Sequence, residues 1–385
     1  MNFKQMDSEF VANTYVRFDA VIERGQGSTL YDENGKEYID FGSGIAVNTF
    51  GVADEIWKKA VTDQLNKIQH TSNLYYNSNG ALLAKMLCER TGMKKVFFSN
   101  SGAEANECAI KTARKFGTDR ADEKNVIVTL KNSFHGRTIT TLSATGQDAF
   151  HTSFTPFTEG FKYVEANDTE ELKKAITPEV TAIMIEIVQG EGGVNTLSKR
   201  FLDEIEKITT ENEILLIVDE VQTGNGRTGQ LYAYMNFELT PDIVSTAKGL
   251  AGGLPLGATM LGERVKDTLS PGTHGSTFGA NPVCAAAAIS NLERIDDALL
   301  KEVRRKSELI QSELKKINGV KSVSGMGLML GIETEKSAKE IADICLKNGL
   351  LVLTAKIKVR LLPALNITDE EIKKGLKILK GVIEA

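Results

Sequence analysis

The sequence predicts an α/β protein with a mostly parallel central sheet in a large domain, followed by a smaller α+β domain. Three observations carry that prediction. From residue 96 onward, short apolar runs at 96–98, 126–129, 183–187, 214–218 and 243–244 read as strands, with helical spacing between them at 104–115 and 199–210. Runs that are apolar throughout, rather than alternating, fit strands covered by helices on both faces. The chain of 385 residues can bury a large core with an appendage. After Pro282 the texture changes, which places the division there.

The elements follow in order. Residues 28–32 and 37–41 read as a hairpin across Asn34-Gly35, a pair that favours a tight turn. Residues 57–68 and 80–90 have helical spacing, and the strand–helix units come next. Beyond Pro282, helices are expected at 283–294, 298–317 and 336–348, and strands within 320–333, 350–353 and 359–362. Gly325-Met326-Gly327 reads as a turn. A last helix starts after Thr368, where Glu371 completes a capping-box pattern. The expected units are an N-terminal segment 1–48 packing with the small domain, a large domain 49–282 and a small domain 283–385.

Composition narrows the function classes. With 41% hydrophobic and 25% charged residues the chain is an ordinary globular one, and a formal charge of −5 argues against nucleic acid or an anionic membrane as partner. No apolar run reaches transmembrane length and no signal-peptide pattern opens the chain, so the expectation is cytoplasmic. The four cysteines (Cys88, Cys108, Cys284, Cys345) are scattered and read as buried thiols of a reducing compartment. The histidines show no metal-ligand spacing, and no metal is expected.

Candidate chemistry gathers at strand ends. Lys248 follows the run 243–244 and precedes Gly249, Gly252 and Gly253; a lysine at the end of a buried strand is desolvated and suited to Schiff-base chemistry. About one strand earlier an apolar run ends in Asp219, with Gln222 just beyond. A lysine and a carboxylate that can hold a proton on a pyridine nitrogen are what pyridoxal-phosphate chemistry needs. Ser101-Gly102-Ala103 opens a helix, where free N–H groups suit a phosphate, although a plain helix cap explains the same residues. Phe134 and Arg137 lie past another strand, as a ring for stacking and a carboxylate clamp or as a core Phe and a surface Arg. His135 between them reads as a packed histidine. Glu186 and Glu191 flank Gln189-Gly190, either as turn acids or as a carboxylate masking an arginine. Arg360 stands in an apolar run, where an arginine calls for an anion.

Together and in this order, the residues resemble the class III (ornithine-type) pyridoxal-phosphate aminotransferases over nearly the whole chain. The motifs are Phe98-Ser99-Asn100-Ser101-Gly102-Ala103-Glu104-Ala105-Asn106, Phe134-His135-Gly136-Arg137, Gln189-Gly190-Glu191-Gly192-Gly193, Asp219-Glu220-Val221-Gln222-Thr223-Gly224, Ala247-Lys248-Gly249 and His274-Gly275-Ser276-Thr277-Phe278. The resemblance implies the type I fold of pyridoxal-phosphate transferases and a homodimer with active sites at its interface. It implies pyridoxal 5′-phosphate as a Schiff base on Lys248, which also shuttles a proton. Ser101, Gly102 and Ala103 would hold the phosphate with Thr277 of the partner subunit. Phe134 would stack on the ring, Asp219 would pair with its nitrogen, Gln222 would approach its phenolic oxygen, and Val221 would complete the cofactor set. Arg137 would take the substrate α-carboxylate. Arg360 would take that of 2-oxoglutarate or glutamate, screened in turn by Glu191, and Ser276 would lie near the acyl-amino group.

Gly44-Ile45-Ala46-Val47-Asn48, Ser72-Asn73-Leu74-Tyr75-Tyr76 and Arg360-Leu361-Leu362-Pro363 resemble the branch whose donor is N-acetyl-L-ornithine and whose acceptor is 2-oxoglutarate, in arginine biosynthesis. Gly44 falls about where ornithine-specific relatives carry a tyrosine, which favours an acylated donor; Tyr15 matches another of their tyrosines. Gly51-Val52-Ala53-Asp54-Glu55 replaces a usual Gly-His-x-His-Pro run, outside the cofactor set. The rival readings are succinylornithine, N-succinyl-diaminopimelate, ornithine or 4-aminobutyrate as donor, a semialdehyde aminomutase, and a non-catalytic cofactor-bound interaction protein.

Overall fold

A computed structural model describes residues 2–385. Its central seven-stranded sheet runs in the order Lys95–Ser99, Gly257–Leu261, Ile243–Thr246, Leu215–Asp219, Val180–Ile185, Val126–Leu130 and Phe161–Val164. Only Gly257–Leu261 runs against its neighbours; the other strands share one direction. Four central strands are buried at every position, the setting that uninterrupted apolar runs require. Successive residues feed opposite faces. Leu215 and Ile217 pack with Ala109, Ala113 and Phe116 of the helix Gly102–Thr118. Leu216 and Val218 join the core that contains Phe201 and Ile205 of the helix Lys199–Glu211.

Two strands of this sheet lie outside the sequence expectation. Phe161–Val164 is an edge strand with a lysine in it, and Gly257–Leu261 opens on glycine and carries one β-branched residue, so neither shows a strand-like run. Gly257 has a packing reason. A Cβ there would lie 2.3 Å from the Ser101 carbonyl oxygen, so glycine lets the sheet approach the start of the helix at 102.

The hairpin Thr29–Asp32 with Glu37–Asp40 forms as expected, with Gly35 at φ 80° in its turn. Glu37–Asp40 also pairs in parallel with Leu350–Leu351, which ties the N-terminal strands to the C-terminal part of the chain. There a second sheet runs Val320–Met326, Met329–Thr334, Lys358–Leu361, Leu353–Ala355. The run 320–333 is thus a hairpin, turned at Gly327 with φ 57°. The helices Asp297–Leu314, Ala338–Lys347 and Asp369–Glu384 close a separate core around Phe41, Ile310, Leu330, Ile341 and Leu379. The capping box of Thr368 and Glu371 is formed. The helix Pro282–Arg294, by contrast, buries Ala285, Ala288 and Leu292 in the core of the large sheet. Cys108, Cys284 and Cys345 are buried, whereas Cys88 is only partly covered. Among the described residues no helix is long and apolar enough to cross a membrane.

Candidate active site

The parallel strands end on one side of the sheet, the position at which α/β proteins build ligand sites. The segments that follow Ser99, Leu130, Ile185, Thr246 and the strand ending in Asp219 enclose a cavity of about 390 Å³. Its walls include Ser101, Gly102, Ala103, Phe134, Asp219, Val221, Gln222 and Lys248 from the sequence-predicted set. A larger cavity of about 510 Å³, lined chiefly by apolar side chains of the N-terminal strands and of 342–353, holds none of them.

Lys248 has φ 45°, a left-handed backbone unusual for a side-chain-bearing residue. Side chains hold the turn around it. Asn225 Nδ2 donates to the Ala247 carbonyl at 3.2 Å, Thr49 Oγ1 to that of Gly249 at 2.7 Å, and Trp57 Nε1 to that of Ala251 at 2.8 Å. Burial holds the Lys248 amine below the usual lysine range; Glu191 opposes that effect and Arg360 adds to it. A larger fraction of the amine is therefore neutral and nucleophilic than on a surface lysine.

Asp219 is fixed from three directions. Its Oδ2 accepts from Asn106 Nδ2 at 2.7 Å and lies 2.8 Å from His135 Nδ1, and its Oδ1 accepts from the Val221 N–H at 3.0 Å. Asn106 is oriented in turn, donating to the His135 carbonyl at 2.8 Å and accepting from Ser245 Oγ at 2.5 Å. A carboxylate so braced can face a cationic ring nitrogen without turning away.

At the other end of the cavity Ser101 Oγ accepts from the Glu104 N–H at 3.2 Å, and the Glu104 carboxylate reaches back to the Asn100 N–H at 2.9 Å. The first N–H groups of this helix have no partner within it and carry the positive end of its dipole. A Cβ on Gly102 would lie 2.6 Å from Val221 Cγ1, so only glycine lets this corner close. The lining offers helix-start N–H groups for a dianionic phosphate, the Phe134 and Val221 side chains for a flat ring, and Asp219 for a protonated ring nitrogen. The residues present suit pyridoxal phosphate.

Arg360 Nη1 donates to Glu191 Oε1 at 2.6 Å and to Gln222 Oε1 at 3.1 Å, and Gln222 Nε2 reaches Glu191 Oε1 at 3.3 Å. Arg360 is 3% exposed, while the Glu191 side chain is 30% exposed. Burial would raise the Glu191 carboxyl, yet Arg360 holds it below its ordinary range. The guanidinium is buried, and its carboxylate partner lies on the more open side of the pair.

Not every predicted residue reaches the cavity. Arg137 is exposed at its rim, its guanidinium 4.0 Å from the Phe150 ring centre and 5.6 Å from that of Phe134. Ser276 Oγ accepts from Asn100 Nδ2 at 3.3 Å, beside the cavity, and Thr277 is exposed away from it.

The family profile described as Aminotransferase class-III matches residues 10–383. The chain belongs to this family. It is 50% identical over 385 residues to an acetylornithine aminotransferase of Haemophilus ducreyi, covering 99% of this chain and 98% of the relative. It is 43% identical to a succinylornithine transaminase of Salmonella enteritidis, covering 96% and 93%. A crystal structure of the ornithine aminotransferase of Toxoplasma gondii superimposes with a TM-score of 0.95 at 32% identity, covering 99% of this chain and 94% of that one.

Class III aminotransferases depend on pyridoxal phosphate. Asn100 and Asn106 belong to the motif at 98–106, yet the sequence assigns neither a role; Asn106 sits one helical turn after Gly102 and so faces the same way, a spacing that could have given it one. Ser245, which orients Asn106, lies in a strand that reads as plain core, 253–256 line the cavity from a loop, and Glu186 is left between two readings.

Proposed function

We propose that this chain is a pyridoxal-phosphate aminotransferase that moves the δ-amino group of N-acetyl-L-ornithine to 2-oxoglutarate, giving N-acetyl-L-glutamate 5-semialdehyde and L-glutamate. The observation that carries the reading is the buried Arg360 guanidinium, masked by the partly exposed Glu191 beside the Lys248 cavity. A site with a permanent cation and a movable anion suits two substrates in turn. Glutamate carries a carboxylate on its reacting carbon and needs the guanidinium free. An ω-amine has no carboxylate there and needs the guanidinium screened.

In this reading Lys248 holds the cofactor covalently and moves a proton at its Nζ to and from the substrate carbon. Gly102 and Ala103 bind the phosphate through backbone N–H groups behind the Ser101 cap, and Phe134 and Val221 hold the two ring faces. Asp219 keeps a proton on the ring nitrogen, and Gln222 approaches the phenolic oxygen. Bound there, pyridoxal phosphate supplies a sink for the electron pair left when the substrate carbon loses its proton. Arg137 at the rim takes the distal α-carboxylate of the acylated donor, and Ser276 lies by the acyl-amino group.

We place Thr277 at the phosphate of the partner subunit in a homodimer; its exposure and that of Tyr75 and Tyr76 in the single chain support this. Residues 1–48 belong with the C-terminal unit through the pairing at Glu37–Asp40, and the packing of Pro282–Arg294 supports a domain boundary after Arg294. As a step of arginine biosynthesis in the cytoplasm the reaction would run toward N-acetylornithine.

The relative named for succinylornithine keeps that donor as a second reading. Steady-state assays with 2-oxoglutarate and each of N-acetylornithine, N-succinylornithine, ornithine and 4-aminobutyrate decide it. N-acetylornithine is expected to give at least about tenfold higher kcat/KM than ornithine, the discrimination that an added or missing polar contact supports. Glutamate formation from none of the four donors would overturn the reading.

A further inference from the structure

Glu186 is a buried carboxylate on the wall of the cavity, 6% exposed, with no part in the chemistry above. It follows directly on the strand Val180–Ile185. Its Oε2 accepts the Phe134 N–H at 2.9 Å. That bond ties two loops together, because Phe134 belongs to the loop after Val126–Leu130 and Glu186 opens the loop after Val180–Ile185. The loops touch at two further points. Gln189 Nε2 donates to the Lys131 carbonyl at 2.8 Å, and a Cβ on Gly192 would lie 2.3 Å from the Asn132 carbonyl oxygen. Gly190 in turn lies against the Gln222 amide, where an added Cβ would be 2.4 Å from Oε1. One loop carries Phe134, the other Glu191.

Placing a carboxyl here costs free energy unless it is hydrogen-bonded. Burial first, and then the charge of Asp219, push Glu186 well above the ordinary carboxyl range, while the Phe134 N–H and Lys248 act against that. A neutral or apolar side chain would fill the space at less cost. What such a side chain lacks is an acceptor for a backbone donor that points inward from the neighbouring loop.

We propose that Glu186 is a positioning residue for the cofactor: by accepting the Phe134 N–H group it joins the two loops into one unit and fixes the Phe134 ring against the bound ring. The proposal rests on the reading of the cavity as a pyridoxal-phosphate site. It acts through Phe134, so its signature is coupling between the two positions rather than lost stability alone.

The test is a double-mutant cycle on cofactor affinity, read from the absorbance and fluorescence of pyridoxal phosphate titrated into apoprotein, with no turnover required. The proteins are wild type, Glu186→Ala, Glu186→Gln, Phe134→Leu and Glu186→Ala/Phe134→Leu. Glu186→Ala is expected to weaken binding about tenfold, the scale of a lost buried acceptor. Glu186→Gln keeps one acceptor oxygen and is expected to recover most of that loss. In the Phe134→Leu background, Glu186→Ala should change affinity less than about twofold further. The proposal is overturned if the two substitutions multiply in the double variant, or if wild type and Glu186→Ala bind equally. It is also overturned if Glu186→Gln is as weak as Glu186→Ala with both folded by circular dichroism. Failure of wild type itself to bind pyridoxal phosphate would instead overturn the reading of the cavity. Should Glu186→Ala not fold, the comparison of Glu186→Gln with wild type in the two Phe134 backgrounds reads the same coupling.

Discussion

The two sides of the cavity are built in different ways. On the sheet side Asp219, Asn106, Ser245 and His135 form a closed hydrogen-bonded chain of buried groups, and Lys248 stands on a turn clamped by Thr49, Trp57 and Asn225. On the rim Arg137 is exposed, Thr277 faces away, and Leu74, Tyr75 and Tyr76 are 90%, 72% and 107% exposed. Arg360 and Glu191 lie between, one buried and one half free. The lesson is that the chain braces most of the cofactor half of the site from within, whereas the groups proposed for the substrates stand at an exposed rim. Rigid geometry is concentrated where charge must be held through every turnover.

That contrast can be broken or sharpened by substitution. The largest effect is expected at Lys248. Lys248→Ala should lower kcat by about 10⁴-fold or more, because in the proposed role covalent attachment and the proton carrier vanish together. The variant should also lose the visible absorption band of the bound cofactor while keeping its circular dichroism spectrum.

Next comes the braced carboxylate. Asp219→Asn keeps the shape but removes the charge that is proposed to hold a proton on the ring nitrogen. It should lower kcat by about 10²–10³-fold with a smaller change in KM, the pattern of an interaction needed in the transition state. An unchanged kcat would separate Asp219 from the chemistry.

Between the two sides, Arg360→Lys exchanges a two-pronged donor for a point charge. The KM for 2-oxoglutarate is expected to rise about tenfold or more, with the half-reaction of N-acetylornithine changed much less. Equal losses in both half-reactions would contradict the role of Glu191 as a screen.

The smallest effect concerns stability. Burial raises the Glu220 carboxyl to about 7, against the Thr223 hydroxyl and Tyr234 N–H that it accepts at 2.5 and 2.8 Å. The folded form then keeps its proton over a range in which the unfolded chain has lost it. Stability from this group is complete below the ordinary carboxyl value of 4.5 and is lost as pH rises through about 7. The full span is on the order of 3 kcal/mol. Glu220→Gln should flatten the fall of the urea midpoint between about pH 5 and about pH 8.

Legibility in the sequence follows the same contrast. The buried strands announce themselves through uninterrupted apolar runs such as 126–128, 182–185, 214–218 and 243–244, and Lys248 and Asp219 stand out as charges beyond them. Phe161–Val164 and Gly257–Leu261 do not, since an edge strand tolerates Lys162 and close packing demands Gly257. Resemblance chose between the readings open for Phe134 and Arg137, since single residues in loops carry no periodic signal, whereas Arg360 in the strand Lys358–Leu361 stood out as a cation in an apolar run. The brace of Asn106 and Ser245 stayed hidden because a buried Asn or Ser within a helix or strand looks like any other small polar residue until its partner is placed. Glu186 was visible as an acid at a strand end, but its partners are backbone groups, which sequence never distinguishes.

The most direct measurement is the visible absorbance of the purified, cofactor-loaded protein as amino donors are added one at a time without any keto acid. A band that N-acetylornithine and glutamate each bleach, and that ornithine leaves largely intact, is the predicted result. Bleaching by ornithine or 4-aminobutyrate with none by N-acetylornithine would contradict the proposed substrate, and absence of a visible band with pyridoxal phosphate present would contradict the assignment of Lys248.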